Sequence, residues 1–194
     1  MRCEGNVVRV QEVLETEHEI RIPYSTLTRW VREADLRAPK PRAGSYHFGM
    51  GEEMQFDTSP HSLKLNDHPI KAQCATLVLA YSRRIFIRYF PGFTRFEAKA
   101  FLREALCFMD GSASRCMVDN SNVVVASGSG AEAVMAPEMA AFGQIFGFEF
   151  IAHAIGDANR SARVERPFYF VEKNFLPGRR FSSWEDLNAQ ARHW

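Results

Sequence analysis

Apolar residues recur at helical spacing near the start of the chain. In residues 6–17 (NVVRVQEVLETE), Val7, Val10, Val13 and Leu14 share one stripe, which predicts a first helix. Pro23 breaks the chain. Ser25 then offers an N-cap for a second helix, TLTRWVREA, with Leu27, Trp30, Val31 and Ala34 on its buried side and Thr26, Thr28, Arg29 and Arg32 on the other. Residues 37–49 carry two prolines and two glycines among basic residues that include Lys40 and Arg42, with no acid, and read as a basic linker. Such a linker either tracks phosphates or is a solvated hinge.

Beyond Glu52 the period changes. Residues 53–58 (EMQFDT) alternate, with Met54 and Phe56 on one face and Gln55 and Asp57 on the other. A second short strand, HSLKL, ends at the turn-like pair Asn66-Asp67, and the apolar run QCATLVLAY predicts a strand buried on both faces. RIFIRYF either extends that strand or forms another. Thr94 to Glu97 is a capping box opening a helix with Ala98, Phe101, Leu102, Ala105, Leu106 and Met109 inside and Gly111 as its stop. RCMVD predicts a strand ending at Asp119, residues 136–146 a helix with Pro137 in its first turn, and FEFIA another strand. Residues 160–176 read as a last amphipathic helix with Val164, Phe168, Val171 and Phe175 inside. The order from Glu52 is β-β-β-α-β-α-β-α.

Composition narrows the classes. The 194 residues contain 46% hydrophobic and 24% charged residues, which suits a globular core with a small appendage and excludes a disordered chain. Twenty-four basic residues balance twenty-three acidic ones, so any nucleic-acid contact must come from local patches. No apolar run reaches bilayer-spanning length, and MRCEGNVVRV has no signal core, so a cytoplasmic chain is expected. The cysteines at 3, 74, 107 and 116 form no CxxC pair, which points to reduced thiols.

Three acids stand out by placement: Asp57 in the first strand, Asp119 at a strand end, and Glu165 in the first turns of the last helix. Acids in such places serve catalysis in open α/β sheets, although a lone strand-end acid is more often solvated or capping. Phosphodiester cleavage needs charge neutralised on the attacking and leaving oxygens, and a pair of divalent cations, Mg²⁺ or Mn²⁺, does this. Such hard ions take carboxylate oxygens.

The strings around these acids, MQFDTSP, RCMVDNSNVVV and ANRSARVERPFYFVEKNFLPGRRF, resemble the three acidic motifs of a DDE transposase or retroviral-type integrase core, and most closely the IstA-type bacterial insertion-sequence transposases. The resemblance covers residues 6–194. It implies an RNase H-like core over residues 50–180, a mixed five-stranded sheet flanked by helices. A helix-turn-helix-like segment (1–36) and the basic linker (37–49) precede it, and a C-terminal helical extension (181–194) follows. Asp57, Asp119 and Glu165 become the catalytic, metal-binding triad. Arg160, Arg163 and Arg166 become phosphate contacts near the cut, joined in DNA binding by Arg29, Arg32, Lys40 and Arg42. Asn120 follows the second acid as the family pattern has it, whereas Ser161-Ala162 stands where many relatives have Lys-Gly. Pro167 either kinks the last helix or starts it. The chain ends soon after the third motif, where the family continues, so it reads as a fragment.

The implied activity is metal-dependent DNA strand cleavage and strand transfer in transposition, by a homo-oligomer on DNA, with an AAA+ ATPase helper in IstA-type systems. The alternative is a catalytically incompetent fragment that binds DNA or a transposase. A general RNase H-like nuclease would need a fourth acid, for which Glu172 is the candidate. The GSGAEA string at 128–133 lacks the lysine of a nucleotide-binding loop and reads as an active-site loop, and His153 reads as a loop histidine.

Overall fold

The computed structural model describes residues 3, 6–34, 36, 48–153 and 167–194. The chain divides into two compact units. One is built on the N-terminal helices together with Tyr169–Arg180, and the other on His47–Phe168 and Phe181–Trp194. No helix among the described residues is long and apolar enough to cross a membrane.

In the first unit, α1 (Val7–His18) is capped by Asn6, whose side chain accepts the Val8 and Arg9 N–H groups, and ends at Glu19 in the left-handed region. Helix α2 (Tyr24–Glu33) starts directly after Pro23. Ser25 is therefore inside the helix and not its cap, because the fixed φ of Pro23 already sets the entry. Val7, Leu27 and Val31 form the contact between the helices, flanked by Val10, Leu14 and Ile22. The sequence pattern assigns Trp30 to that contact, but the residue is 49% exposed, and Ala34 is exposed too. At ~100° per residue Trp30 stands about 80° from the middle of the Leu27–Val31 stripe, too far round to reach a single partner helix.

Residues 167–170 are helical and continue as a π-helical turn, Val171–Phe175, closed by Leu176 N–H donating to Val171 C=O. Pro167 opens this described stretch. The first-turn residues of the expected 160–176 helix, including Val164 and Glu165, lie outside the described residues. Segment and helix pair join through Asn6 Nδ2 donating to Lys173 C=O (3.0 Å) and Arg9 Nε donating to Pro177 C=O (3.1 Å).

The strands of the second unit are, in chain order, β1 (Glu53–Leu65), β2 (His68–Leu79), β3 (Ile85–Phe90), β4 (Arg115–Val118), β5 (Val125–Ser127), β6 (Val134–Met135) and β7 (Glu149–Ala152). Five of them form a mixed sheet in the order β3-β2-β1-β4-β7. β1–β2 and β2–β3 pair antiparallel, and β1–β4 and β4–β7 pair parallel. The two short strands expected at 53–58 and 61–65 are one continuous β1. Pro60 does not break it, because β4 pairs only with Glu53–Gln55, so the missing N–H falls on an unpaired edge. Asn66 and Asp67 both take positive φ, the requirement of a two-residue hairpin turn. RIFIRYF forms a strand of its own.

Met54 and Phe56 face α3 (Arg95–Met109), which buries Phe101, Leu102 and Ala105 completely against the sheet. Helix α4 (Pro137–Phe146) adds Met139 to the same core, and Gly147 ends it. Between β4 and α4 lies a small hairpin that the alternation did not announce, formed by β5 and β6 around a 3₁₀ turn, Gly130–Glu132. Helix α5 (Trp184–His193) closes the chain against edge strand β3.

Candidate active site

The parallel pairing of β1 with β4 ends at Gln55 opposite Met117. Two residues beyond that last pair come Asp57, still within β1, and Asp119, one residue past the end of β4, near enough for the Asp119 charge to act on Asp57. Asp57 projects from the face opposite Met54 and Phe56, as the alternation of β1 requires. Asp57 is half-buried and Asp119 exposed. Burial pushes the Asp57 carboxyl up to about 7; the nearby Asp119 charge adds to the shift, and the Thr58 N–H opposes it. Both carboxylates accept from the backbone: Thr58 N–H donates to Asp57 Oδ1 (2.7 Å) and Ser121 N–H to Asp119 Oδ1 (3.0 Å). Among the described residues neither has a basic side chain in ion-pair range. Two adjacent hard oxygen donors with uncompensated charge fit a divalent cation. The described residues alone bring no three such ligands together.

The loop after β4 is held from three sides. Asn120 Nδ2 donates to His153 C=O (3.1 Å), joining the ends of β4 and β7. Gly130 N–H donates to the same carbonyl (3.1 Å), which ties the 128–133 loop to that strand end. Gly128 is required there: its φ is +75°, and a Cβ would lie 2.3 Å from Glu132 O. From the other side Arg95 reaches out of α3. Its Nε donates to Val123 C=O (3.2 Å) and its Nη2 to Asn122 C=O (3.1 Å). Glu138, in the first turn of α4, pairs with Lys99 (2.8 Å) and Arg95 (3.5 Å), which holds its carboxyl below the usual range.

Of the residues singled out from sequence, Asp57, Asp119 and Asn120 come together. Arg29 and Arg32 are exposed on α2, in the other unit, and so is Glu172. Glu165, Lys40, Arg42, Arg160, Arg163 and Arg166 lie outside the described residues. Sequence reasoning passed over Arg95, hidden inside the capping box. The available signal was a cation at the first position of a helix, where the macrodipole disfavours it.

No family model matches the sequence, and a search of curated proteins finds no match. Solved structures do resemble the fold. A chain of the simian T-cell lymphotropic virus intasome in complex with PP2A regulatory subunit B56 gamma aligns with a TM-score of 0.52 and 15% identity, over 93% of this chain and 66% of that one. The catalytic core domain of BIV integrase aligns with a TM-score of 0.50 and 12% identity, over 73% and 80%. At these identities the likeness is one of fold: the sheet and its helices form an RNase H-like α/β core of the kind found in integrase catalytic cores.

Proposed function

We propose that the chain is the catalytic core of a DDE-type polynucleotidyl transferase that cleaves and joins DNA strands, of the IstA-type transposase kind. The observation that carries this reading is the nearness of Asp57, within the central strand β1, to Asp119, just past the end of the neighbouring parallel strand β4, in an RNase H-like sheet. Asp57, Asp119 and Glu165 would hold a pair of Mg²⁺ or Mn²⁺ ions, which would neutralise charge on the attacking and leaving oxygens of a phosphodiester.

The protein's own part is placement. Asp57 enters the site from a rigid central strand, and its neighbour Asp119 is fixed by the Ser121 N–H. The exposed side of Asp119 leaves the pair open to a bulky DNA backbone. Substrates are transposon-end DNA and then target DNA, whose phosphate is attacked by the 3′-hydroxyl released in the first cut. Self-association on DNA belongs to the same reading.

The test is nicking of end-labelled duplex DNA by the purified chain in Mn²⁺, with Asp119→Asn beside it. Amide for carboxylate keeps the shape and removes the charge. Metal-dependent nicking by the wild type, reduced at least ~100-fold in the variant, is expected. A wild type that never nicks, or a variant that nicks as well, overturns the proposal.

A further inference from the structure

We propose that Arg95 is a positioning residue for this site: it braces the loop 120–123 and through that loop orients Asp119. The inference rests on the reading of Asp119 as a metal ligand. Arg95 is the first residue of α3, immediately after the Thr94 cap. A cation there opposes the helix macrodipole, so its stabilising contacts must lie elsewhere. They lie on the loop that follows β4.

The guanidinium uses two of its donors on two successive carbonyls, Nη2 on Asn122 (3.1 Å) and Nε on Val123 (3.2 Å). The loop's N–H groups have partners of their own. Ser121 N–H goes to Asp119 Oδ1, Val123 N–H to Ser121 Oγ, and Val124 and Val125 N–H to Ser121 C=O. These bonds curl the loop but do not attach it to the body of the unit. Asn120 attaches one end, through His153 C=O. Arg95 adds to the anchors of the other end, where the carbonyl of the buried Val124 accepts the Ala136 N–H (2.9 Å).

The strut has a firm base. Ala98, Phe101, Leu102 and Ala105 are fully buried beneath it, and Glu138 holds a third guanidinium nitrogen. The chain of contacts runs from the core through Arg95 to Asn122 and Val123, back through Ser121, and ends on Oδ1 of Asp119. A planar fork is needed, because a lysine ammonium on a flexible stem is a point donor and does not span both carbonyls in fixed geometry.

The experiment compares the full chain with Arg95→Met, Arg95→Lys and, as a control on the same helix, the exposed Arg103→Met. Amide hydrogen exchange and steady-state Mn²⁺-dependent nicking are measured on each. Arg95→Met is expected to speed exchange at Ser121, Val123 and Val124 roughly tenfold. It should lower kcat ~10–100-fold, the cost of a misplaced reacting group, with KM for DNA within about twofold. Arg95→Lys recovers part of both, and Arg103→Met changes neither.

Unchanged exchange in Arg95→Met overturns the brace. Faster exchange with unchanged kcat overturns its link to Asp119. A raised KM at constant kcat makes Arg95 a DNA contact instead. A wild type without nicking activity overturns the functional reading of the site, and the exchange measurement still decides whether Arg95 holds the loop.

Discussion

Asp119, one residue past the end of the parallel strand β4, lies near Asp57 of β1, and its charge helps burial to keep a proton on Asp57 up to about pH 7. The two carboxyl groups are thus mutually unfavourable when both are ionised and no cation is present. Strand geometry enforces this conflict. Gln55 and Met117, two residues earlier, mark the register, and a one-residue slip would exchange Met54 and Phe56 with Glu53 and Gln55 on the face packed against α3.

That conflict makes stability depend on pH. The Asp57 carboxyl releases its proton near 3.8 when the chain is unfolded and near 7 in the fold. Between those values the folded state binds the extra proton, so its contribution is fully present below about pH 4 and falls as pH rises toward 7. In metal-free buffer at pH 7.5, Asp57→Asn should therefore be more stable than wild type, by on the order of 2 kcal/mol or ~4–8 °C in Tm. The difference should shrink at pH 4. Thermal unfolding at both pH values checks it, and a variant that is less stable at pH 7.5 refutes it.

The start of α3 supports a second prediction. Thr94 accepts the Phe96 N–H (3.2 Å), and Glu97 accepts the Thr94 N–H (2.8 Å). The Thr94 hydroxyl and then the Thr94 N–H hold the Glu97 carboxyl below its ordinary range. Thr94→Ala removes one cap and should cost about 1 kcal/mol, a Tm lower by ~2–4 °C. Calorimetry of the variant checks this, and an unchanged Tm would show that packing alone holds the helix start.

Much of the fold is legible in the sequence wherever the signal is local. The capping box at 94–97, the Asn66-Asp67 turn and the Pro137–Gly147 bracket each state a backbone requirement within a few residues, and each element forms as read. The placement of Asp57 on the face opposite Met54 and Phe56 is legible from the chemical alternation of residues 53–58, and that of Asp119 from the apolar run RCMV before it. What escapes the sequence depends on partners far along the chain. Residues 53–58 and 61–65 read as two strands until one knows that β4 stops short of Pro60. Trp30 reads as core until the helix pair is seen to meet, among the described residues, through Val7, Leu27 and Val31. Arg95 reads as one more polar residue in a cap, because its acceptors lie 27 and 28 residues further on.

Asn188 gives a third prediction. Strand β3 is an edge of the sheet. The Asn188 carboxamide pairs with it as another strand would, accepting the Tyr89 N–H (2.7 Å) and donating to Tyr89 C=O (3.0 Å). Asn188→Ala leaves both groups without this partner on an open edge, which invites pairing with another chain. The variant should lose ~1–3 kcal/mol and associate with rising concentration. Asn188→Asp, which accepts but cannot donate, should fall between. Light scattering and thermal unfolding decide it, and a monodisperse variant of unchanged Tm excludes the edge-capping role.

The exposed side of α2 carries the last prediction. Arg29 and Arg32 both face solvent. Among the described residues Arg29 pairs with Glu33 at 4.0 Å, with both side chains over 60% exposed. A surface pair of this kind holds the guanidinium only weakly, so Arg29 is available to a phosphate. Tyr24 and Trp30 are half exposed on the same helix, where a recognition helix would present groups to a groove. Residues 1–36 hold five basic residues against seven acidic ones. DNA binding by this segment would therefore have to be directional, with α2 toward the groove and the acids of α1 turned away. Arg29→Ala/Arg32→Ala should weaken duplex DNA binding at low salt by ~10-fold or more. It should also flatten the dependence of log K on log salt by roughly one for each phosphate the variant no longer neutralises. Fluorescence anisotropy of a labelled duplex over a salt series measures both quantities. Equal affinity and equal slope in wild type and variant would make this helix pair a protein-binding or structural element and assign DNA binding to the rest of the chain.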